Sequence, residues 1–283
     1  MSNIVIIGSG PAGVSAALYT SRANIDTLVI SNESSALLKA EKIENYYGFE
    51  EAISGKELHD NAIEGAKKAG ARFVKEEVVG IGFEERLCVY TDKNKYSADS
   101  VIIATGASRK APLIKGIAEF EGRGVSYCAV CDAFFYRGKN VAVIGNSSYA
   151  LHEAKELLPV VNSVVLLTDG KPLEVETDIE TINTKISEII GNETVNGVLF
   201  EDNSKIEIDG LFVAIGVAGS TELAKKIGIL TEKGKIVVDE NMATNVPGIF
   251  SAGDCNGGLL QISKAVSEGA VAGTQAIKYI RGK

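Results

Sequence analysis

Two segments of the chain open alike: Asn3-Ile-Val-Ile-Ile-Gly8 and Asn140-Val-Ala-Val-Ile-Gly145. Each is a short β-branched run stopped by glycine and followed by a helix-compatible stretch, as in the first strand and turn of a nucleotide-binding α/β unit. A second echo follows each first one, Val101-Ile-Ile-Ala104-Thr105-Gly106 and Leu211-Phe-Val-Ala-Ile-Gly216. Self-similarity on this scale implies two related domains. The expected fold class is therefore α/β, with two nested Rossmann-like three-layer domains. The interval from Gly145 to Gly216 is shorter than that from Gly8 to Gly106 by 27 positions, so the second copy is trimmed. From about Val238 the chain carries Asn245-Val-Pro-Gly-Ile-Phe-Ser-Ala-Gly253-Asp254 and then an apolar-periodic stretch from Ile262 to Ile280. These predict a turn, a strand and a long helix that return to complete the first domain. Residues 1–109 and 238–283 then form a discontinuous first domain, with 110–237 inserted as a shortened second one.

Composition agrees with packed domains. The 283 residues are 45% hydrophobic and 23% charged, which excludes disordered, collagen-like and coiled-coil chains. The 30 glycines exceed the usual ~7% and point to tight turns and close backbone approach. A net charge of −8 gives no global attraction to nucleic acid or to an anionic membrane surface. No apolar run approaches the ~18 residues of a membrane span, and the chain enters a strand at Asn3-Ile4 without a basic leader. A soluble, cytoplasmic protein is expected. Four cysteines are too few for a disulfide framework.

The chemistry-bearing motifs follow the two echoes. Gly8-Ser9-Gly10-Pro11-Ala12-Gly13 leaves a predicted strand and opens a helix. In that context the first glycine makes the turn, the second lets a pyrophosphate approach and the third packs helix on strand. Glu33, after the strand Thr27–Ile30, is placed to accept hydrogen bonds from ribose hydroxyls. The second turn, Gly145-Asn146-Ser147-Ser148-Tyr149-Ala150, keeps only its first glycine. The following strand ends in Thr168-Asp169-Gly170-Lys171, with no arginine cluster for a 2′-phosphate, although Asp169 remains available to an NAD ribose. Cys128-Ala-Val-Cys131 is either a dithiol/disulfide couple or half of a zinc site. Zinc lacks further ligands, because Cys88, Cys255, His59 and His152 are scattered singly; no metal is expected. Asp132 adjoins the pair and is suited to exchange protons with a thiol, or else to cap a turn. Asp254 is suited to bind a cofactor hydroxyl, and Lys264, at the start of the last helix, to favour negative charge on a reduced cofactor ring.

Together these motifs resemble the low-molecular-weight thioredoxin reductases, FAD-dependent disulfide reductases with a nicotinamide domain inserted into the flavin domain. The likeness runs nearly end to end and is strongest from Phe120 through Cys128-Ala-Val-Cys131-Asp132-Ala-Phe-Phe-Tyr136 to Gly145, with further matches at Ile43-Glu-Asn45, Ala104-Thr-Gly-Ala107 and Phe250–Asp254. It implies that Cys131 faces the flavin, that Cys128 is the interchange thiol and that Asp132 is the acid/base. It further implies that Glu33, Asn45, Val78, Ala104, Thr105, Gly106, Gly253, Asp254, Lys264 and Ala265 line the FAD together with the Gly8–Gly13 turn, and that the enzyme is a homodimer. The chain departs from the family at Ser34-Ser35, where Gly-Gly is usual, at Ala133 and throughout the nicotinamide motifs. In this it resembles the ferredoxin-dependent flavin thioredoxin reductases of anaerobic bacteria. That likeness implies reduced ferredoxin as donor and thioredoxin, or a thioredoxin-like protein, as acceptor. Arg109, Lys110, Lys115, Arg123, Arg137 and Lys139 against Glu119, Glu121 and Asp132 give the dithiol segment a local balance that either suits an acidic donor or is a set of ordinary solvated charges. The competing readings are an NAD(P)H-dependent reductase of the same family and a non-catalytic flavin-binding redox partner.

Overall fold

The computed structural model describes residues 3–32, 35–106, 113–127, 129–216 and 219–282, with backbone alone at Val130 and Cys131. In chain order the first part holds β1 (Asn3–Ile7), α1 (Pro11–Arg22), β2 (Asp26–Ser31), α2 (Gly55–Lys68), β3 (Arg72–Lys75), β4 (Val78–Phe83), β5 (Leu87–Thr91), β6 (Lys95–Ala98) and β7 (Ser100–Ile103). The middle part holds β8 (Val125–Ser126), α3 (Ala129–Asp132), β9 (Asn140–Ile144), α4 (Ser148–Leu157), β10 (Ser163–Leu167), β11 (Thr181–Ile182), β12 (Ile186–Gly191), β13 (Val195–Phe200), β14 (Lys205–Glu207) and β15 (Gly210–Val213). The last part holds α5 (Ser220–Lys226), β16 (Thr231–Glu232), β17 (Lys235–Ile236), β18 (Ile249–Ser251) and α6 (Ile262–Arg281).

Two compact units result, Met1–Ser108 with Gly219–Lys283, and Arg109–Ala218. The return to the first unit begins at Gly219, ahead of the position near Val238 that the sequence pattern suggests. The physical reason is α5: it packs on β4, and Lys226 Nζ donates to Val79 O at 3.1 Å. Each unit is built on a five-stranded parallel sheet. The orders are β18-β7-β1-β2-β3 and β11-β10-β9-β15-β8, the same arrangement read in opposite directions. β1 therefore corresponds to β9, β2 to β10 and β7 to β15, as the two sequence echoes anticipate. A three-stranded antiparallel sheet accompanies each, β4-β5-β6 in the first unit and β12-β13-β14 in the second. The architecture is α/β with two Rossmann-like units.

The central strands are apolar on both faces because both faces are covered. Ile4, Ile6, Val29, Ile102 and Phe250 form the first core with alanines of α1 and α6, and Ala142, Ile144, Leu167, Leu211 and Val213 belong to the second. The trimming in the second unit falls on one crossover. Where α2 connects β2 to β3, the described segment between β10 and β11 forms no helix.

Helices α1 and α6 approach closely through small residues. A Cβ on Gly269 would lie 2.1 Å from Ala12 O, and one on Gly273 would lie 2.9 Å from Ala16 O. Both contacts are with backbone, which cannot rotate away as a side chain does. Gly269→Ala is expected to lower unfolding stability by at least about 2 kcal/mol, the upper range for overpacking. Gly65→Ala, in α2 with nothing within 4 Å of its Cβ, is expected to raise stability by roughly 0.5–1 kcal/mol. Denaturant midpoints of the two variants, measured against the parent at equal slope, check both signs.

Candidate cofactor and dithiol sites

In the first unit the sheet ends in a glycine turn. Gly8 has φ of +106°, and a Cβ there would lie 2.4 Å from Ala104 O; a Cβ on Gly13 would lie 1.9 Å from Gly8 O. These two glycines serve backbone packing. Gly10 differs, because a Cβ there would meet only Ser35 Oγ, at an ordinary contact distance of 3.7 Å, and no backbone. Gly10 is the N-cap, no side chain caps the helix, and Pro11 occupies its first turn. Uncapped backbone N–H groups and the helix dipole together favour a phosphate there. Ser9 Oγ donates to Ser31 Oγ at 2.8 Å and ties the turn to β2. A cavity of about 120 Å³ opens beside Gly10 and Pro11, with Leu37, Tyr46, buried His59 and Val266 among its walls.

The remaining residues expected around the cofactor are spread over strand and helix ends. Ala104 is buried and donates its N–H to Ile7 O at 2.8 Å. Thr105 Oγ1 is buried without a hydrogen-bond partner among the described residues, and Gly106 has φ of +77° with open space beside it. Val78 opens β4, and Asn45 Nδ2 donates to Gln261 Oε1 at 3.0 Å, joining its loop to the start of α6. Ala265 is buried in the first turns of α6. Glu33 lies outside the described residues. An orphaned buried hydroxyl, a glycine without a neighbour and an uncapped helix start together fit a dinucleotide such as FAD.

Lys264, expected near a reduced cofactor ring, stands in the first turn of α6 and is engaged within the chain. Lys264 Nζ donates to Gly253 O (2.9 Å) and Gly257 O (2.6 Å) and pairs with Glu268 Oε2 at 3.0 Å. Glu268 also accepts the Gly253 N–H at 2.8 Å. Gly253, φ +92°, and the turn begun by Asp254 are thus held by an ion pair on α6 whose side chains are 17% and 18% exposed. Lys264 shapes the loop that presents Asp254. Glu268 was missed by sequence reading, although its position four residues after Lys264 on a predicted helix is a legible pairing signal.

In the second unit the corresponding turn is filled. Gly145 repeats the packing of Gly8, its Cβ position lying 2.2 Å from Ala214 O. Ser147, where the second glycine would be, is buried and donates to Gly216 O at 2.6 Å, which links the ends of β9 and β15. Asn146 Nδ2 donates to Pro172 O (3.0 Å) and Glu174 Oε1 (3.1 Å). Asp169, the carboxylate left for an NAD ribose, has φ of +53° and accepts the Ile186 N–H on Oδ1 at 2.8 Å. It serves the entry to β12.

The dithiol segment lies in this unit. Cys131 is on the four-residue helix α3; its side chain and the whole of Cys128 lie outside the described residues. Asp132 Oδ2 accepts from Ser126 Oγ at 2.6 Å. Tyr136 has its phenol pKa raised by burial and by the nearby Asp132. Phe134 and Phe135, next along the chain, are about two-thirds exposed. Among the described basic residues of this segment, Lys115 pairs with Glu188 at 2.9 Å, Arg137 lies over Phe134 and Lys139 over Tyr136. Glu153, on α4, is 1% exposed and accepts the Ala129 N–H at 2.9 Å. Neither Ser126 nor Glu153 carries a motif by which sequence alone would mark it. Cys88 and Cys255 are buried and free, and burial raises the Cys255 thiol pKa. No group of three or more metal-ligating side chains forms among the described residues, and no described helix is long and apolar enough to cross a membrane.

The sequence matches the pyridine nucleotide-disulphide oxidoreductase family over residues 2–269. A thioredoxin reductase of Listeria innocua is 36% identical over 302 residues, covering 98% of this chain and 93% of that protein. The crystal structure of the atypical thioredoxin reductase TRi from Desulfovibrio vulgaris Hildenborough superposes with a TM-score of 0.94 at 39% identity, covering 100% of this chain and 99% of that one. A ferredoxin-flavin thioredoxin reductase from Clostridium acetobutylicum gives a TM-score of 0.73 at 33% identity, covering 99% and 98%. The chain belongs to the pyridine nucleotide-disulphide oxidoreductase family. Within it the relatives are thioredoxin reductases, and FAD is the cofactor.

Removing the Glu268 carboxylate leaves the Gly253 N–H without its acceptor, a loss of about 1–3 kcal/mol. Glu268→Ala is accordingly expected to raise the Kd for FAD roughly tenfold, read from the fluorescence of flavin released on dilution.

Proposed function

We propose that this chain reduces the disulfide of thioredoxin, or of a thioredoxin-like protein, with electrons delivered by reduced ferredoxin rather than by a nicotinamide. The observation that carries the donor assignment is the hydrogen-bonded filling of the second dinucleotide turn. Ser147 puts a side chain where a pyrophosphate needs bare backbone and bonds it to Gly216 O, and Asp169 is engaged with Ile186. The likeness to a ferredoxin-flavin thioredoxin reductase supports the same donor. A homodimer and a cytoplasmic setting belong to this reading through the resemblance to thioredoxin reductases.

The first unit holds the cofactor by its glycine turn, with Glu33, Asn45, Val78, Ala104, Thr105, Gly106, Gly253, Asp254, Lys264 and Ala265 completing the site. When bound, FAD supplies the conversion between one-electron donors and a two-electron dithiol. The chain's own chemistry lies at Cys128, Cys131 and Asp132. The Cys128 thiolate attacks one sulfur of the partner disulfide, that S–S bond breaks, and a mixed disulfide forms. Asp132, with its carboxyl oriented by the Ser126 hydroxyl, gives the departing sulfur its proton. Cys131 then attacks the Cys128 sulfur of the mixed disulfide, that S–S bond breaks, and the proton lost by Cys131 passes to the second partner sulfur, which leaves as a thiol with Cys128–Cys131 oxidised. The partner gains two electrons and two protons.

Anaerobic titration of the flavin absorbance tests the donor. Reduced ferredoxin is expected to bleach the flavin and support turnover of thioredoxin, while NADPH and NADH leave it oxidised. Reduction by either nicotinamide at catalytic rates overturns the assignment. Cys128→Ser is expected to abolish disulfide reduction while retaining FAD; full turnover in that variant would return the chain to a binding role.

A further inference from the structure

Lys235 falls in the segment that the sequence pattern assigns to the inserted domain and that packs instead with the first unit. β16 and β17 are joined by Lys233 (φ +48°) and Gly234 (φ +71°), two left-handed residues in succession, which make the tight hairpin turn that fixes strand register. Thr221 Oγ1, on α5, donates to Gly234 O at 3.1 Å and anchors the tip of this hairpin. Ile236 is buried, so the alternation of a strand turns Lys235 to the opposite face. There the lysine stem runs along Gly257, whose Cβ position lies 3.2 Å from Lys235 Cγ, and Nζ donates to Asp254 O at 3.1 Å. The same oxygen accepts the Gly257 N–H at 3.1 Å. On the preceding residue, Glu268 holds the Gly253 N–H and Lys264 holds the Gly253 carbonyl. The backbone is therefore fixed on both sides of the Asp254 Cα. Among the described residues no hydrogen bond or ion pair engages the Asp254 carboxylate, although an ammonium group reaches the same residue.

We infer that Lys235 is a positioning residue for the cofactor: from the β16–β17 hairpin it clamps the Asp254 carbonyl and presents the Asp254 carboxylate, already oriented, to a hydroxyl of FAD. The inference rests on the reading of Asp254 as a ligand of that cofactor. A lysine bound to the carboxylate itself would compete with a ligand hydroxyl, whereas a lysine bound to the main-chain oxygen leaves both carboxylate oxygens to accept. Lys264 does not duplicate this contact, because its bonds go to Gly253 O and Gly257 O. An acceptor held in place before binding needs little further ordering when the ligand arrives, and affinity rises accordingly.

The test is a double-mutant cycle on holoenzyme, with the Kd for FAD read from the fluorescence of flavin released on dilution. Lys235→Met keeps the stem beside Gly257 and removes the charged donor. It is expected to raise the Kd roughly tenfold, the size of one charge-assisted hydrogen bond withdrawn from a prearranged site. Asp254→Ala is expected to raise it by at least as much, and the double variant is expected to bind FAD within twofold of Asp254→Ala alone, because the lysine acts through that carboxylate. A Kd for Lys235→Met within twofold of the parent overturns the role of Lys235. An equal loss from Lys235→Met in the parent and in the Asp254→Ala background also overturns it, since a general loosening of the fold does not depend on the carboxylate. A Kd for Asp254→Ala within twofold of the parent overturns instead the reading of Asp254 on which the inference rests.

Discussion

Both units depend on one steric constraint, the meeting of two parallel strand ends with no side chain between them. At Gly8 the backbone abuts Ala104 O, and at Gly145 it abuts Ala214 O, with Cβ clearances of 2.4 and 2.2 Å. No larger residue fits either place without moving a strand. What differs is the space in front of this shared corner. Gly10 puts no side chain into it at the start of α1, whereas Ser147 occupies it at the start of α4 and bonds across to Gly216. The same corner thus makes an anion cradle in one unit and a closed structural joint in the other.

A second organising device is the ion pair at the start of α6. Lys264 and Glu268 between them engage Gly253 O, Gly253 N and Gly257 O, so the loop following β18 is braced at several points. Ser251 Oγ donates to Asn256 Oδ1 at 2.6 Å within the same turn. Such bracing matters where a cofactor must find its groups already oriented, because any ordering on binding would reduce affinity.

The duplication, the sheet-forming strands and the glycine turn were legible because each rests on local chemistry: β-branched runs, a tight turn and a helix start. The fate of the second turn was legible in part. Ser147 in place of the second glycine was plain in the sequence, but the bonds that fill the space, from Ser147 to Gly216 and from Asn146 to Pro172 and Glu174, join segments far apart in sequence. Asp169 was read as an available carboxylate, and only the positive φ and the Ile186 N–H reveal its structural use. The start of the returning segment was hidden for a similar reason, since α5 declares its allegiance through packing on β4. Glu153 was illegible because a glutamate on a helix ordinarily faces water, and nothing local distinguishes one that faces α3.

Cys88 and Cys255 give the chain a property of use to anyone counting electrons in it. Both are sealed within the first unit, and Cys255 is also pushed away from its thiolate by burial. Thiolate, not thiol, is the reactive form, so these sulfurs are silent toward reagents as long as the fold is intact. Of four sulfhydryl-bearing positions, two are spectators. Neither Cys88 nor Cys255 therefore contributes to reagent uptake by the native protein, and the gain in uptake on denaturation serves as an internal calibration of how much of a preparation is folded.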